Sequence, residues 1–131
     1  MQLRRCFITI HWKHLQSNQI EEDCEENWKI IFKKICDKLA RTIDYESGAL
    51  ALEMGDKLGR IHIQGYLEHK PKRLQTLAND LGVMKTCFDI VRKTILPIDY
   101  LLPKVVLEEF SLYRGIRGSS SRRKLLSTAS I

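Results

Sequence analysis

The sequence predicts an α+β domain, one mostly antiparallel β-sheet flanked by helices in a split β-α-β order. Three observations carry that expectation. Short stretches rich in β-branched and aromatic residues recur along the chain, two amphipathic stripes of helical period separate them, and 131 residues are enough for one core and little more. With 44% hydrophobic and 29% charged residues, 7 Gly and 3 Pro, the composition is that of a globular domain. The length leaves no room for a separate motor domain, and no Gly-rich phosphate-binding loop occurs.

The first strand is expected over Arg5 to Trp12, where Phe7, Ile8, Ile10 and Trp12 favour extended structure. After the polar stretch Gln16 to Glu26, the residues Trp28, Ile31, Phe32, Ile35, Cys36 and Leu39 recur at steps of three and four, while lysines and Asp37 fill the other side. This is an amphipathic helix with acidic residues leading into its positive end. Two strands follow, Leu50 to Met54 and Ile61 to Glu68, joined by the loop Gly55-Asp56-Lys57-Leu58-Gly59 as in a hairpin. Leu74, Leu77, Ala78 and Leu81 mark a second helix that stops at Gly82. A short extended run, Thr86 to Arg92, comes next, and Ile98 to Leu102 fits a turn or two of helix before Pro103. The folded unit is expected to end near residue 113, followed by a flexible Gly-, Ser- and Arg-rich tail.

The 22 basic and 16 acidic residues give a net charge of +6, which suits an anionic partner. Most of the excess is terminal: Arg114, Arg117, Arg122, Arg123 and Lys124 follow the last acidic residue, so the first 113 residues are nearly neutral. Cys6, Cys24, Cys36 and Cys87 form no C-x-x-C pair and follow no secretory leader, so reduced thiols in an intracellular compartment are expected. No apolar run reaches the about 18 residues of a membrane-spanning helix.

Chemistry concentrates in two places. On a strand, His62 and Gln64 project from one face while Ile61 and Ile63 project from the other, and a hairpin through the glycine loop brings Glu53 near both. A carboxylate, an imidazole and an amide oxygen make a hard O/N donor set suited to Mg²⁺ or Mn²⁺. The same spacing also fits a solvated strand face without a ligand. Tyr100 and Lys104, four apart, would share one side of a helix, where the ammonium stabilises a phenolate or phosphate. A packed tyrosine beside an exposed lysine fits as well.

Taken in order, Phe7-Ile8-Thr9-Ile10-His11, then Glu53 ahead of His62-Ile63-Gln64-Gly65-Tyr66, then Tyr100 with a following lysine, resemble the three motifs of the HUH-type replication-initiator endonucleases of circular single-stranded DNA viruses. Nanovirus-like and circovirus-like initiators are the most similar, and the likeness spans about Leu3 to Gly115. The second motif is the specific one, in its glutamine version. The resemblance implies a ferredoxin- or RRM-like nicking domain over residues 1–115 and a basic Ser/Arg-rich tail over 116–131. It implies that Glu53, His62 and Gln64 hold Mg²⁺ or Mn²⁺. Tyr100, assisted by Lys104, would attack the scissile phosphate, leaving a 5′-phosphotyrosyl link and a free 3′-hydroxyl that primes rolling-circle replication. Phe7, Thr9 and His11 would contact the DNA, as would the basic cluster Lys70, Lys72 and Arg73. The implied partners are single-stranded DNA at an origin hairpin, further copies of the chain and the host replication machinery, in the host nucleus and away from membranes. In the family the lysine follows the tyrosine by three residues. Here Leu101, Leu102 and Pro103 intervene, and a proline inside a helix costs ~3 kcal/mol. A single-stranded nucleic-acid-binding module without catalysis, or a protein-interaction domain of the same fold, are the alternative readings.

Smaller signals add little. His11, His14 and Cys6 are too irregularly spaced for zinc. Lys85, Arg92 and Lys93 fit either a phosphate track or solvated surface, Trp12 and Trp28 fit the core, and Arg122-Arg123-Lys124 reads as a short nuclear-localisation signal or a nucleic-acid arm.

Overall fold

The computed structural model describes residues 2–15, 22–55, 59–90 and 105–114. Five strands form one antiparallel sheet: β1 (Arg4–Ile10), β2 (Tyr45–Met54), β3 (Ile61–His69), β4 (Phe88–Ile90) and β5 (Val105–Tyr113), in the order β4-β1-β3-β2-β5. Helix α1 (Glu25–Arg41) connects β1 to β2 around β3, and α2 (Leu74–Leu81) lies between β3 and β4, which flank β1. The split β-α-β arrangement expected from the sequence is thus present, and occurs twice, and an additional strand extends the sheet beside β2.

Side-chain alternation divides the sheet into two faces. Cys6, Ile8 and Ile10 of β1, Leu50 and Leu52 of β2, and Ile61, Ile63 and Leu67 of β3 meet across the ladders and join the core with α1 and α2. Helix α1 contributes Trp28, Ile31, Phe32, Ile35, Cys36 and Leu39, the stripe read from the sequence. Each large apolar side chain so buried stabilises the fold by about 1.5–3 kcal/mol. Glu25 and Glu26 occupy the first turn of α1 and Lys38 and Arg41 the last, matching the helix dipole at both ends. Trp28 is fully buried, packs edge-on against Trp12 with ring centroids 5.4 Å apart, and donates its indole N–H to Asp23 at 2.7 Å. Helix α2 ends on Gly82, whose φ of 70° is the left-handed conformation expected of a helix-terminating glycine.

The boundaries differ from the sequence reading in four places. β1 ends at Ile10, and Trp12, expected at the end of that strand, opens the 3₁₀ turn Trp12–His14. β2 begins at Tyr45, five residues before Leu50, because the polar run Glu46-Ser47 is buried in the sheet and a bulge between Tyr45 and Ser47 breaks the alternation. Within the expected run Thr86 to Arg92, Lys85–Cys87 form a 3₁₀ turn and only Phe88–Ile90 are strand; Val91 and Arg92 lie outside the described residues. β5 is a strand the sequence reading left unassigned, with Glu108 and Glu109 adjacent and a bulge opposite Leu52 and Glu53. The expected helix at Ile98 to Leu102 and the tail from residue 115 onward lie outside the described residues.

Arg114, counted with the tail by charge, belongs to the folded unit. Its guanidinium donates to the carbonyls of Leu39, Ala40, Thr42 and Tyr45, and so satisfies the carbonyls at the end of α1.

Candidate active site on the open face of the sheet

Opposite the helices, β1, β3 and β2 present a second set of side chains in register. Tyr66 pairs with Phe7 on one side and Ala49 on the other, Gln64 with Thr9 and Ala51, and His62 with Glu53. Antiparallel partners share a face, so Glu53, His62 and Gln64 all project to this open side, as the hairpin reading expected. The tight turn that sets the register is closed by Gly55 N–H donating to the Arg60 carbonyl at 2.9 Å, and Gly59 adopts a φ of 61°.

Nε2 of His62 lies 3.2 Å from Oε1 of Glu53, and both side chains are largely shielded from solvent. Two cis ligands each about 2.1 Å from an octahedral Mg²⁺ are separated by about 3.0 Å. The carboxylate and imidazole therefore already stand near the spacing that a shared hard cation requires. Gln64 is two residues further along β3 on the same face, 6% exposed, and opposite the small Ala51. Among the described residues no group of three or more His, Cys, Asp or Glu is arranged to hold a metal. The Gln64 amide and the Thr9 hydroxyl are further oxygen-bearing groups on the same face.

His11, immediately after β1, stacks obliquely on the pair: its ring centroid is 5.6 Å from that of His62 and 5.5 Å from that of His14. The His11 N–H donates to Nδ1 of His14 at 3.0 Å. Burial first, then electrostatic interaction with the His62 and His14 rings, Lys13 and Arg60, holds the His11 pKa below its ordinary value. Burial and then Lys13 lower that of His14 likewise. Lowered values favour the neutral rings of His11 and His14, and Lys13 and Arg60 are the cations that act on this end of the sheet.

Phe7 and Tyr66 lie side by side on the same face, ring centroids 5.7 Å apart and planes inclined at 59°. Tyr66 is half-buried and Phe7 is 8% exposed, so the tyrosine is the more accessible ring.

The basic cluster after β3 has a different character. The Lys72 ammonium is 2.9 Å from Asp80 and 3.0 Å from Asp44, its side chain is 14% exposed, and it sits 5.3 Å from the centre of the Tyr45 ring. The Tyr45 hydroxyl donates to the same Asp80 oxygen at 3.0 Å. Lys72 therefore ties β2, the β3–α2 connection and α2 together. Lys70 is half-buried and donates its backbone N–H to Asp44, while Arg73 is exposed at the start of α2.

Tyr100 and Lys104, with Pro103 and the cations Arg92 and Lys93, lie outside the described residues. Lys13 and Arg60 were not singled out by sequence reading. The available signal was the period of two, which extends the face of His62 and Gln64 back to residue 60. An apolar groove of about 470 Å³ between α1 and β5, lined by Ile30, Phe32, Cys36 and Phe110 among others, is a feature separate from this set of residues. No helix among the described residues is long and apolar enough to cross a membrane. No family model matches the chain, nor does any curated protein or solved structure.

Proposed function

We propose that the chain is a divalent-metal-dependent endonuclease that nicks and rejoins single-stranded DNA at a replication origin in the host nucleus. The observation that carries this reading is the Glu53–His62 pair, set face to face by the β2–β3 register at 3.2 Å on the open side of the sheet, with Gln64 beside it. The resemblance of the three motifs to viral replication initiators supplies the reaction, and the α+β sheet, with these residues on the face away from α1 and α2, is compatible with it.

Glu53, His62 and Gln64 would hold Mg²⁺ or Mn²⁺. Bound there, the cation would polarise the oxygens of the scissile phosphate and offset charge developing in the transition state. The Tyr100 phenolic oxygen attacks phosphorus, a Tyr–O–P bond forms, the P–O3′ bond breaks, and the released oxygen takes a proton to become the 3′-hydroxyl. The 5′-phosphotyrosyl link retains the phosphodiester energy, and attack by a 3′-hydroxyl reverses the step to rejoin the strand. Lys104 would stabilise the phenolate.

The test is formation of a covalent adduct. Incubated with Mn²⁺ and a pool of labelled stem-loop oligonucleotides carrying randomised single-stranded loops, the protein should form a denaturation-resistant protein–DNA species that Tyr100→Phe and His62→Ala abolish. Binding to such DNA without any adduct at any loop sequence would leave only a binding module, and an adduct that survives Tyr100→Phe would reassign the nucleophile.

A further inference from the structure

Arg60 continues the open face of the sheet one step beyond His62. The Gly55 N–H bond to the Arg60 carbonyl extends the β2–β3 ladder past Ile61, so alternation places Arg60 on the same side as His62 and Gln64. Lys13 approaches the same point from another element. It lies in the 3₁₀ turn Trp12–His14, directly after His11, whose ring is 5.6 Å from that of His62. That turn is anchored: Leu15 bridges Val83, and the Met84 N–H donates to the His14 carbonyl at 2.9 Å. Both cations are exposed, and the charge of each bears on the His11 ring.

Among the described residues Arg60 and Lys13 make no ion pair, whereas Lys72 is held by two carboxylates and Lys29 by Glu25. Glu53, on the same face, is engaged with His62. Two cations without an ion pair among the described residues, one next to His62 and one next to His11 at the same end of the sheet, suit an anion whose charge is spread along a chain.

We propose that Arg60 and Lys13 form a phosphate clamp that grips the backbone of a single-stranded nucleic acid next to the Glu53–His62 pair. The clamp rests on the endonuclease reading for the identity of its ligand and deepens it by naming the residues that position the strand. Arg60, with its planar fork, would take a phosphate oxygen pair, and Lys13 would take a neighbouring phosphate as a point charge. Neither is catalytic: they fix where the strand lies along the face and leave the reacting atoms to other groups.

The experiment measures binding apart from cleavage. Anisotropy of labelled oligothymidylate is titrated with the full chain in the presence of a chelator, across a series of salt concentrations. Each lost phosphate contact on a single strand lowers the slope of log affinity against log salt by about 0.7. Arg60→Ala and Lys13→Ala should each lower it by about that amount and the double variant by about twice as much. Arg60→Lys should retain the slope, and Lys29→Ala, on the outer side of α1, should leave it unchanged. Unaltered circular dichroism of each variant excludes unfolding as the cause. A double variant with the wild-type slope, an equal loss in Lys29→Ala, or a wild-type protein that does not bind the strand at low salt would overturn the clamp. A lowered slope in a protein that forms no Tyr100 adduct keeps the clamp and removes the nicking reading. An adduct with an unchanged slope does the reverse.

Discussion

His62 and Glu53 face each other across the β2–β3 ladder with Nε2 and Oε1 3.2 Å apart, a contact made by two residues nine apart in sequence and brought together by one tight turn. If the pair is a metal seat, Mn²⁺ should broaden the NMR signals of the His62 ring and of its neighbour His11 far more than those of His69 at the other end of β3. Glu53→Ala and His62→Ala should each weaken Mn²⁺ binding by more than the about 10- to 100-fold that loss of an outer-shell partner costs. Calorimetric titration checks the affinity, and equal Mn²⁺ binding in wild type and both variants would remove the site.

Lys72 should behave as a structural residue. Its ammonium bridges Asp44 and Asp80 while Tyr45 hydrogen-bonds the same Asp80 oxygen, so one side chain holds three elements. Both carboxylates are partly solvated, which places the loss on Lys72→Met at about 1–3 kcal/mol, the range for hydrogen bonds to charged groups after solvent screening. Urea unfolding should show this destabilisation. The salt slope of DNA binding, measured where the variant is still folded, should stay that of wild type.

The contrast between Lys72 and Arg60 marks what the sequence discloses and what it conceals. Strand β3 and the hairpin were legible because Ile61 and Ile63 alternate with His62 and Gln64 and glycines flank the loop, and that same alternation set Glu53 near His62. Helix α1 was legible from its stripe. The first half of β2 was not, because buried polar residues such as Ser47, which donates to Glu68 at 3.1 Å, look like surface in a one-dimensional pattern. β5 escaped because it is an edge strand with two adjacent glutamates and a bulge. A cluster such as Lys70, Lys72 and Arg73 reads as uniformly basic, yet the carboxylates that neutralise Lys72 come from Asp44 and Asp80, on either side in the chain. Which cations remain free is a property of tertiary contacts.

Stability should fall on mild acidification. His69 is 3% exposed, its Nδ1–H donates to the Lys70 carbonyl at 2.7 Å, and burial, then the charges of Lys72 and Arg4, outweigh that bond and hold its pKa below the ordinary 6.5. Because the folded-state value lies below the unfolded one, the unfolded chain takes up the proton first. Stability is full above about pH 6.5 and declines as pH falls from there through the folded-state value. His11 and His14, lowered for the same leading reason, add in the same direction. The melting temperature of His69→Asn should drop less than that of wild type between about pH 7 and pH 5; an equal drop would assign the acid sensitivity elsewhere.

Thiol chemistry should divide the cysteines one against three. Cys6, Cys36 and Cys87 are buried, and burial pushes each thiol up to about 12, so none presents a thiolate near neutral pH. Cys24, half-exposed just before α1, is the accessible one. Ellman's reagent should titrate one thiol rapidly in the native protein and the other three only after denaturation, and Cys24→Ser should remove the rapid phase.

Gly65, in the middle of His62-Ile63-Gln64-Gly65-Tyr66, is fixed by packing. It sits on the central strand opposite Ile8 on one side and Leu50 on the other, and a Cβ there would fall onto the Ala49 carbonyl oxygen and the Leu50 side chain. A backbone oxygen in a ladder cannot move aside without parting β2 from β3, and that ladder sets Glu53 against His62. Gly65→Ala should therefore cost about 3 kcal/mol, the upper end of ordinary overpacking, and disturb the pair as well. Gly55 is the control: among the described residues a Cβ there meets the Arg60 carbonyl oxygen at 3.7 Å, an ordinary contact. Urea unfolding of the two alanine variants should show a large loss for Gly65 and little for Gly55. Equal losses would mean that glycine's general backbone entropy, rather than the close approach of β2 and β3, explains its place in the motif.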